Sequence, residues 1–357
     1  MNTGLVPPLT ERCVGRHRLE SLLGRGRTGA VYRAFDPLLG RQVAIKRVER
    51  AAPGSATAGP RSEEQQLLVE ARTVARLDHP NVVAVFDAGE DDLGTYVVME
   101  LVDGESLEAR MRRQPPLRLV ETVRIVQQVA DALAAAHARG VCHRDVKPGN
   151  VVLQDGRTPK LVDFGFSRLP PGLRRLKGLV VGTPRYLSPE QIEGKRVDAR
   201  SDVFALGAML FEMLAGRPAF DGASFEEVAR QVREARCPDL RSVAPAAPRY
   251  LERLVGRMLA REPGARYSAR EVADRLSRYL RRAEAKALIR RHAARAGARV
   301  VTLGGLGSLL GSCATQRPAA RSAPALTRSV GAGAGPAGTL DRRAAILGAI
   351  AGWWARR

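Results

Sequence analysis

Cysteine is scarce in this sequence. Four residues in 357, Cys13, Cys142, Cys237 and Cys313, lie far apart and form no C-x-x-C pair. That spacing argues against a disulfide framework or a thiolate zinc site and fits a reducing compartment. Aromatic residues make up only 4% and do not alternate with basic ones, so the stacking platform of a single-strand nucleic-acid binder is missing. No apolar run reaches the roughly 20 residues needed to cross a bilayer as a helix. Residues 1–16 carry two prolines and several charges, unlike the apolar stretch of a signal peptide. No internal repeat is visible.

What is present sets other bounds. Hydrophobic residues make up 45%, enough for one large domain or two moderate ones. The net charge is +21, and residues 281–357 supply +12 of it from 14 basic and 2 acidic side chains, leaving +9 for the first 280. Three sources of that basic tail stay open: arginine-rich codon usage, an anionic membrane surface and an acidic protein partner. No nucleic-acid partner is expected. The tail's apolar runs, 300–314 and 344–355 with Trp353 and Trp354, are too short to span. With their basic flanks they read either as interfacial anchors or as a poorly ordered tail or packing element.

Periodicity divides the rest. Val31-Tyr32, Val43-Ala44-Ile45, Val82–Asp87 and Thr95–Leu101 have strand character. Leu67, Leu68, Ala71, Val74, Ala75 and Leu77 recur at helical spacing over Glu63–Leu77. Beyond residue 103 helices dominate: Leu117–Arg139, Phe204–Ala215, Ser224–Ala235, Tyr250–Leu259 and Ala269–Arg281, then a basic helix over Ala283–Arg299. The fold class is α+β, with a small strand-rich part before a larger helical one.

Chemistry concentrates in a few motifs. Gly24-Arg25-Gly26-Arg27-Thr28-Gly29 precedes β-prone Val31-Tyr32, so it reads as a glycine hairpin that can lay its backbone N–H groups over phosphates. Lys46 ends an apolar strand, and Glu70, 24 residues later on the expected helix, is the candidate carboxylate to meet it. His143-Arg144-Asp145-Val146-Lys147-Pro148-Gly149-Asn150 is followed by Asp163-Phe164-Gly165. Together these segments supply a proton acceptor for an attacking hydroxyl, oxygen ligands for a divalent cation and positive charge for a transferring phosphoryl group.

Over residues 17–281 the chain resembles the eukaryotic-like (Hanks-type) serine/threonine protein kinases of bacteria. The resemblance implies a bilobal protein kinase fold, with an N-lobe over about 17–101 and a helical C-lobe over about 103–281. An extension (1–16) and the basic tail (282–357) flank it. Gly24, Gly26 and Gly29 would cover the ATP phosphates, and Val31 and Ala44 would enclose adenine. Lys46 would hold the α- and β-phosphates while paired with Glu70. Met99 would be the gatekeeper, and Glu100 with the backbone to Val102 the adenine-binding hinge. Asp145 would be the catalytic base and Lys147 the γ-phosphate ligand, while Asn150 and Asp163 would bind magnesium, with manganese as an alternative. Asp202 would anchor the catalytic loop, and Arg266 would pair with Glu190. Implied partners are ATP and protein substrates. A homodimer and a peripheral membrane contact through the tail remain open. Lys147 and Thr183 follow the Ser/Thr pattern, and the peptide-cradling segment Gly182–Glu190 separates the chain from small-molecule kinases that share the fold.

The chain departs from the family pattern in two places. Ser188 stands where alanine is usual before Pro189-Glu190. Between Arg168 and Gly182 there is no Ser, Thr or Tyr, so the phosphothreonine that elsewhere pairs with an arginine such as Arg144 has no counterpart. Arg174, Arg175 and Lys177 in that stretch would favour acidic substrates or simply be solvated. Activity should therefore not require phosphorylation in the centre of this loop. Phosphosite mapping before and after phosphatase treatment checks this: activity should persist, and its loss on dephosphorylation of Ser167 or Thr183 would contradict it.

Overall fold

The computed structural model describes residues 13–26, 29–49, 63–113, 117–164 and 184–309. The expected loop at 51–61, Gly165, the loop residues Ser167, Arg174, Arg175, Lys177 and Thr183, and the tryptophan-bearing end of the tail lie outside them. The chain divides into two units, Met1–Ala293 and Ala294–Arg357, and the candidate site lies within the first.

Alternating side chains build the first layer. Strands β1 (Cys13–Val14), β2 (His17–Gly26), β3 (Gly29–Asp36), β4 (Arg41–Glu49), β5 (Val85–Asp91) and β6 (Gly94–Glu100) form an antiparallel sheet in the order β1-β2-β3-β4-β6-β5. In β3 the buried positions are every second residue, Ala30, Tyr32, Ala34 and Asp36, as a half-covered strand requires. Helix α1 (Glu63–Val74) covers the sheet, with Ala71 packed among Ala44, Val83, Val97 and Met99. This is the small, strand-rich lobe expected from the sequence.

The larger lobe is helical: α2 (Leu107–Arg113), α3 (Leu119–His137), α4 (Pro189–Ile192), α5 (Ala199–Ala215), α6 (Phe225–Glu234), α7 (Leu240–Val243), α8 (Arg249–Met258) and α9 (Ala269–Leu309). A small antiparallel sheet, β7 (Gly104–Ser106), β8 (Val151–Gln154) and β9 (Thr158–Leu161), lies alongside. The two lobes make this the bilobal α+β protein kinase fold.

Helix α5 is the centre of the helical lobe. Every residue from Ser201 to Phe211 is buried, as in a helix surrounded by core on all sides. Its rings contribute much of that core: Phe204 stacks on Phe220 at 5.6 Å between centroids, and burial of each is worth about 1.5–3 kcal/mol. At Gly207 a Cβ would sit 2.8 Å from the Cβ of Met258, so only glycine lets α8 approach this closely. The helix begins before Phe204, the start expected from the sequence. Asp198 caps it through the Arg200 N–H at 2.8 Å, and its polar first turn is buried by partners remote in sequence.

Helix α9 also differs from expectation. No break separates Arg281 from Ala283, because residues 269–296 contain neither glycine nor proline and are rich in strong helix formers. Among the described residues no helix is long and apolar enough to cross a membrane.

One buried ion pair ties the layers of the lobe together. Arg266 donates from Nη1 and Nη2 to Oε1 and Oε2 of Glu190, at 2.7 and 2.9 Å, and further to the Ala260 and Arg261 carbonyls. Ser201 also donates to Glu190. Burial opposes ionisation of Glu190, but the hydrogen bonds from Arg266 and Ser201 outweigh it and hold the carboxyl below its ordinary value of 4.5. A lowered folded-state pKa means that this contribution is complete above that value and is lost as the pH falls below it. Arg266→Ala strands the carboxylate and should cost about 3–5 kcal/mol in urea unfolding at neutral pH. A loss below about 1 kcal/mol, the surface-pair range, would contradict the assignment.

Candidate active site

The antiparallel register places the expected nucleotide residues on one surface. Lys46 lies opposite Val31 on β3, and Ala44 opposite Met99 on β6. Ala44 and Met99 belong to one apolar cluster, against which Val31, Val102 and Val162 pack. Gly24 and Gly26 pair with Val31 and Gly29 across the β2–β3 turn. The glycines differ in what they allow. Gly24 has open space where a Cβ would be, whereas at Gly29, with φ +116°, a Cβ would collide with the Arg47 carbonyl. Close passage of β4 therefore demands glycine at 29, a reason independent of any phosphate.

Lys46 is buried, with its side chain 4% exposed, and its Nζ donates to Asp163 Oδ1 at 3.0 Å. Glu70 falls on α1, but its side chain lies outside what the structure describes. Lys46 and Asp163 are 117 residues apart, so their contact joins the sheet of the small lobe to the segment that follows β9.

The loop between α3 and β8 carries the second group. Lys147 Nζ donates to Asp145 Oδ2 at 2.7 Å. Asn150 Nδ2 donates to the same oxygen at 2.9 Å and to the Asp145 carbonyl at 2.8 Å. With its Nδ2 thus engaged, Asn150 has its Oδ1 on the opposite side of the planar amide. The backbone runs on from Asn150 to the Asp163 segment, since Val162 N–H donates to the Asn150 carbonyl at 3.0 Å. Asp145, Lys147 and Asn150 form one bonded group and Lys46 with Asp163 another, and this backbone bond links the two.

Several residues hold that loop in shape. Asp202, on α5, accepts the His143 N–H on Oδ2 at 2.8 Å and the Arg144 N–H on Oδ1 at 2.7 Å. His137 Nε2 lies 2.7 Å from Oδ2. His143 donates from Nε2 to the Val162 carbonyl at 2.9 Å and accepts the Asp145 N–H on Nδ1 at 3.2 Å, which fixes its tautomer. Its ring stands 4.6 Å from that of Phe164. Arg144 and Asp163 have left-handed backbones, with φ of 66° and 62°, conformations that persist in non-glycine residues only where the surroundings enforce them.

Ser188 acquires a structural reason here. It caps α4 in a reciprocal capping box with Gln191, and Gln191 Nε2 donates to the Arg144 carbonyl at 2.9 Å. The Ser188–Gln191 segment is thereby stitched to the loop that carries Asp145. Burial pushes the thiol of nearby Cys142 up to about 11, which disfavours its reactive thiolate form. Sequence reasoning missed His137, Gln191 and Lys160, whose partners lie 65, 47 and 60 residues away. Their only sequence signal is a polar residue beside a motif.

The donor set suits a hard divalent cation. Among the described residues no group of three or more His, Cys, Asp or Glu could hold a metal. One carboxylate and one amide oxygen suit an ion that takes its other ligands from phosphate and water.

A two-lobed fold with a buried lysine, a carboxylate loop and an oxygen-donor pair is the arrangement of the protein kinase class. The chain belongs to the protein kinase domain family, whose model matches residues 17–276. It is 37% identical over 268 residues to the serine/threonine-protein kinase PksC of Streptomyces coelicolor, covering 72% of this chain and 47% of that protein. It is 34% identical to PrkC of Bacillus subtilis, covering 73% and 40%. It is 36% identical to PknL of Mycobacterium tuberculosis, covering 71% and 62%. The chain thus spans between about two fifths and three fifths of the length of these relatives. Membership of the family implies ATP and a divalent metal in general terms.

Proposed function

We propose that this chain is an active serine/threonine protein kinase that transfers the γ-phosphoryl group of ATP to hydroxyls of protein substrates, with magnesium as the metal. The observation that supports the reading is a pair of bonded groups, Lys46 with Asp163 and Asp145 with Lys147 and Asn150, linked through the backbone by Val162 N–H to the Asn150 carbonyl. A pseudokinase scaffold would tolerate loss of any of these, and the chain keeps them all.

Each residue then has a task. Adenine would lie between Val31 and Ala44 on one side and the hinge at Glu100–Val102, with Met99 behind. The glycine turn at Gly24, Gly26 and Gly29 would close over the phosphates. Lys46 would bind the α- and β-phosphate oxygens, its ammonium held in place by Asp163 and, from α1, by Glu70. Asp163 and Asn150 would supply oxygen ligands to magnesium, which when bound offsets phosphate charge. The Asp145 carboxylate, oriented through Oδ2 by Lys147 and Asn150, would accept the proton of the substrate hydroxyl as that oxygen attacks the γ-phosphorus. Lys147 would also steady the γ-phosphate. Catalysis of this kind rests on positioning and charge compensation more than on covalent chemistry. We assign the kinase domain to 17–281, with 282–357 as an appended basic tail.

Incubation of the full chain with γ-labelled ATP, magnesium and a generic protein acceptor, followed by phosphoamino-acid analysis, tests the reading. Label should appear on serine or threonine, and Asp145→Asn should lower transfer by about 10²- to 10⁴-fold with nucleotide binding largely retained. Equal transfer by the variant, or label on tyrosine alone, would overturn it.

A further inference from the structure

One charge pair outside both bonded groups joins the hinge to the large lobe. Lys160 on β9 bonds both carboxylate oxygens of Glu100, at 2.8 Å to Oε1 and 2.9 Å to Oε2. The two side chains are only 14% and 25% exposed, so the pair is partly shielded from screening. Glu100 also clamps the segment that leads into β5: its N–H donates to the Ala84 carbonyl at 2.9 Å, and its Oε2 accepts the Ala84 N–H at 3.2 Å. That segment is bonded to β9 in turn, through Val83 N–H to the Leu161 carbonyl at 3.1 Å and Leu161 N–H to the Asn81 carbonyl at 2.9 Å. The hinge, the 81–84 segment and β9 therefore form a closed loop of contacts, and Lys160 is its only side-chain cation among these bonds.

The position of this loop has consequences. Three residues after Lys160, the same strand direction delivers Asp163, the partner of Lys46. One and two residues after Glu100 come Leu101 and Val102, which pack on the apolar wall with Ala44 and Met99. The Glu100 N–H and carboxylate are both engaged, by Ala84 and Lys160. What the hinge can present to a base is accordingly its carbonyl at 100 and the backbone at 102, and their placement depends on how firmly Glu100 is held.

We propose that Lys160 is a positioning residue for nucleotide binding: by clasping the Glu100 carboxylate it fixes the hinge backbone against which the adenine of a nucleoside di- or triphosphate is read. The proposal rests on the kinase reading, but it concerns binding rather than transfer. Lys160 does not touch the nucleotide. Its removal leaves a half-buried carboxylate with a single backbone donor, and the hinge then shifts to rehydrate it. Affinity for the nucleotide falls, while the Asp145, Lys147 and Asn150 geometry, built on another segment, is less affected.

The test uses the full-length chain and ADP as the probe, read by calorimetry, with KM for ATP and kcat measured in parallel. Lys160→Met should weaken ADP binding about tenfold, the scale of one hydrogen-bonded charge, and should raise KM more than it lowers kcat. Lys160→Arg, which can still bond both oxygens, should restore most of the affinity. The double variant Glu100→Gln/Lys160→Met, which strands no charge, should bind no worse than Lys160→Met alone, because the two residues act as a unit. It also guards against misfolding of the single variant. If wild-type protein binds ADP and Lys160→Met binds within twofold of it, the clasp is wrong. An arginine variant as weak as the methionine one would also overturn it. If wild-type protein binds no ADP, the failure belongs to the kinase reading instead.

Discussion

The site depends on one buried carboxylate. Asp202 accepts two consecutive backbone N–H groups, those of His143 and Arg144, and so dictates the path of the loop that carries Asp145, Lys147 and Asn150. It can do so because α5 is immobilised on every side, by Phe204 and its stacked partner Phe220, by Met258 pressed against Gly207, and by the buried pair of Glu190 with Arg266. A buried carboxylate that receives charge-assisted bonds from fixed donors is rigid. The hydrophobic core thus transmits its rigidity to the chemistry through two oxygen atoms.

Strain is stored where that rigidity is greatest. Arg144 and Asp163 both adopt left-handed backbones, and each is surrounded by bonds that leave no relaxed alternative. Arg144 is gripped at its N–H by Asp202 and at its carbonyl by Gln191. Asp163 is bonded through its side chain to Lys46 and follows Val162, whose carbonyl takes the His143 ring N–H. One strained point immediately precedes Asp145, and the other begins the Asp-Phe-Gly segment. Groups that must meet a substrate at fixed distances are held there without waiting for it, which is the meaning of preorganisation in phosphoryl transfer.

Much of this was legible in the sequence. The alternation through β3 and β4, the helical spacing of α3 and α8, and the ordered motifs at 143–150 and 163–165 placed both lobes and the residues that meet between them. What escaped was non-local. β7, β8 and β9 are three or four residues each, and their pairing is not encoded by period. The start of α5 was hidden because its first turn, through Ser201 and Asp202, is polar and carries no apolar period, whereas bonds to Glu190 and to the His143–Arg144 backbone bury it. The helices expected at Ala269–Arg281 and Ala283–Arg299 are one, because no glycine or proline separates them. Gly29 was assigned to phosphate approach, yet the nearness of β4 demands it. Lys160 on β9 gave no signal beyond a charge beside a motif, because its partner is a carboxylate 60 residues away.

The most direct test is the Asp202→Asn substitution. An amide has the same shape but only one acceptor oxygen, so it cannot hold both N–H groups. Displacement of the loop by about 1 Å is enough to cost on the order of 100-fold in rate. The variant should lose about that much in kcat for protein phosphorylation while its affinity for ADP, set by the sheet and hinge, stays within a few-fold of wild type. Full retention of kcat would show that the loop keeps its geometry without Asp202, and would contradict the dependence of the site on this one residue.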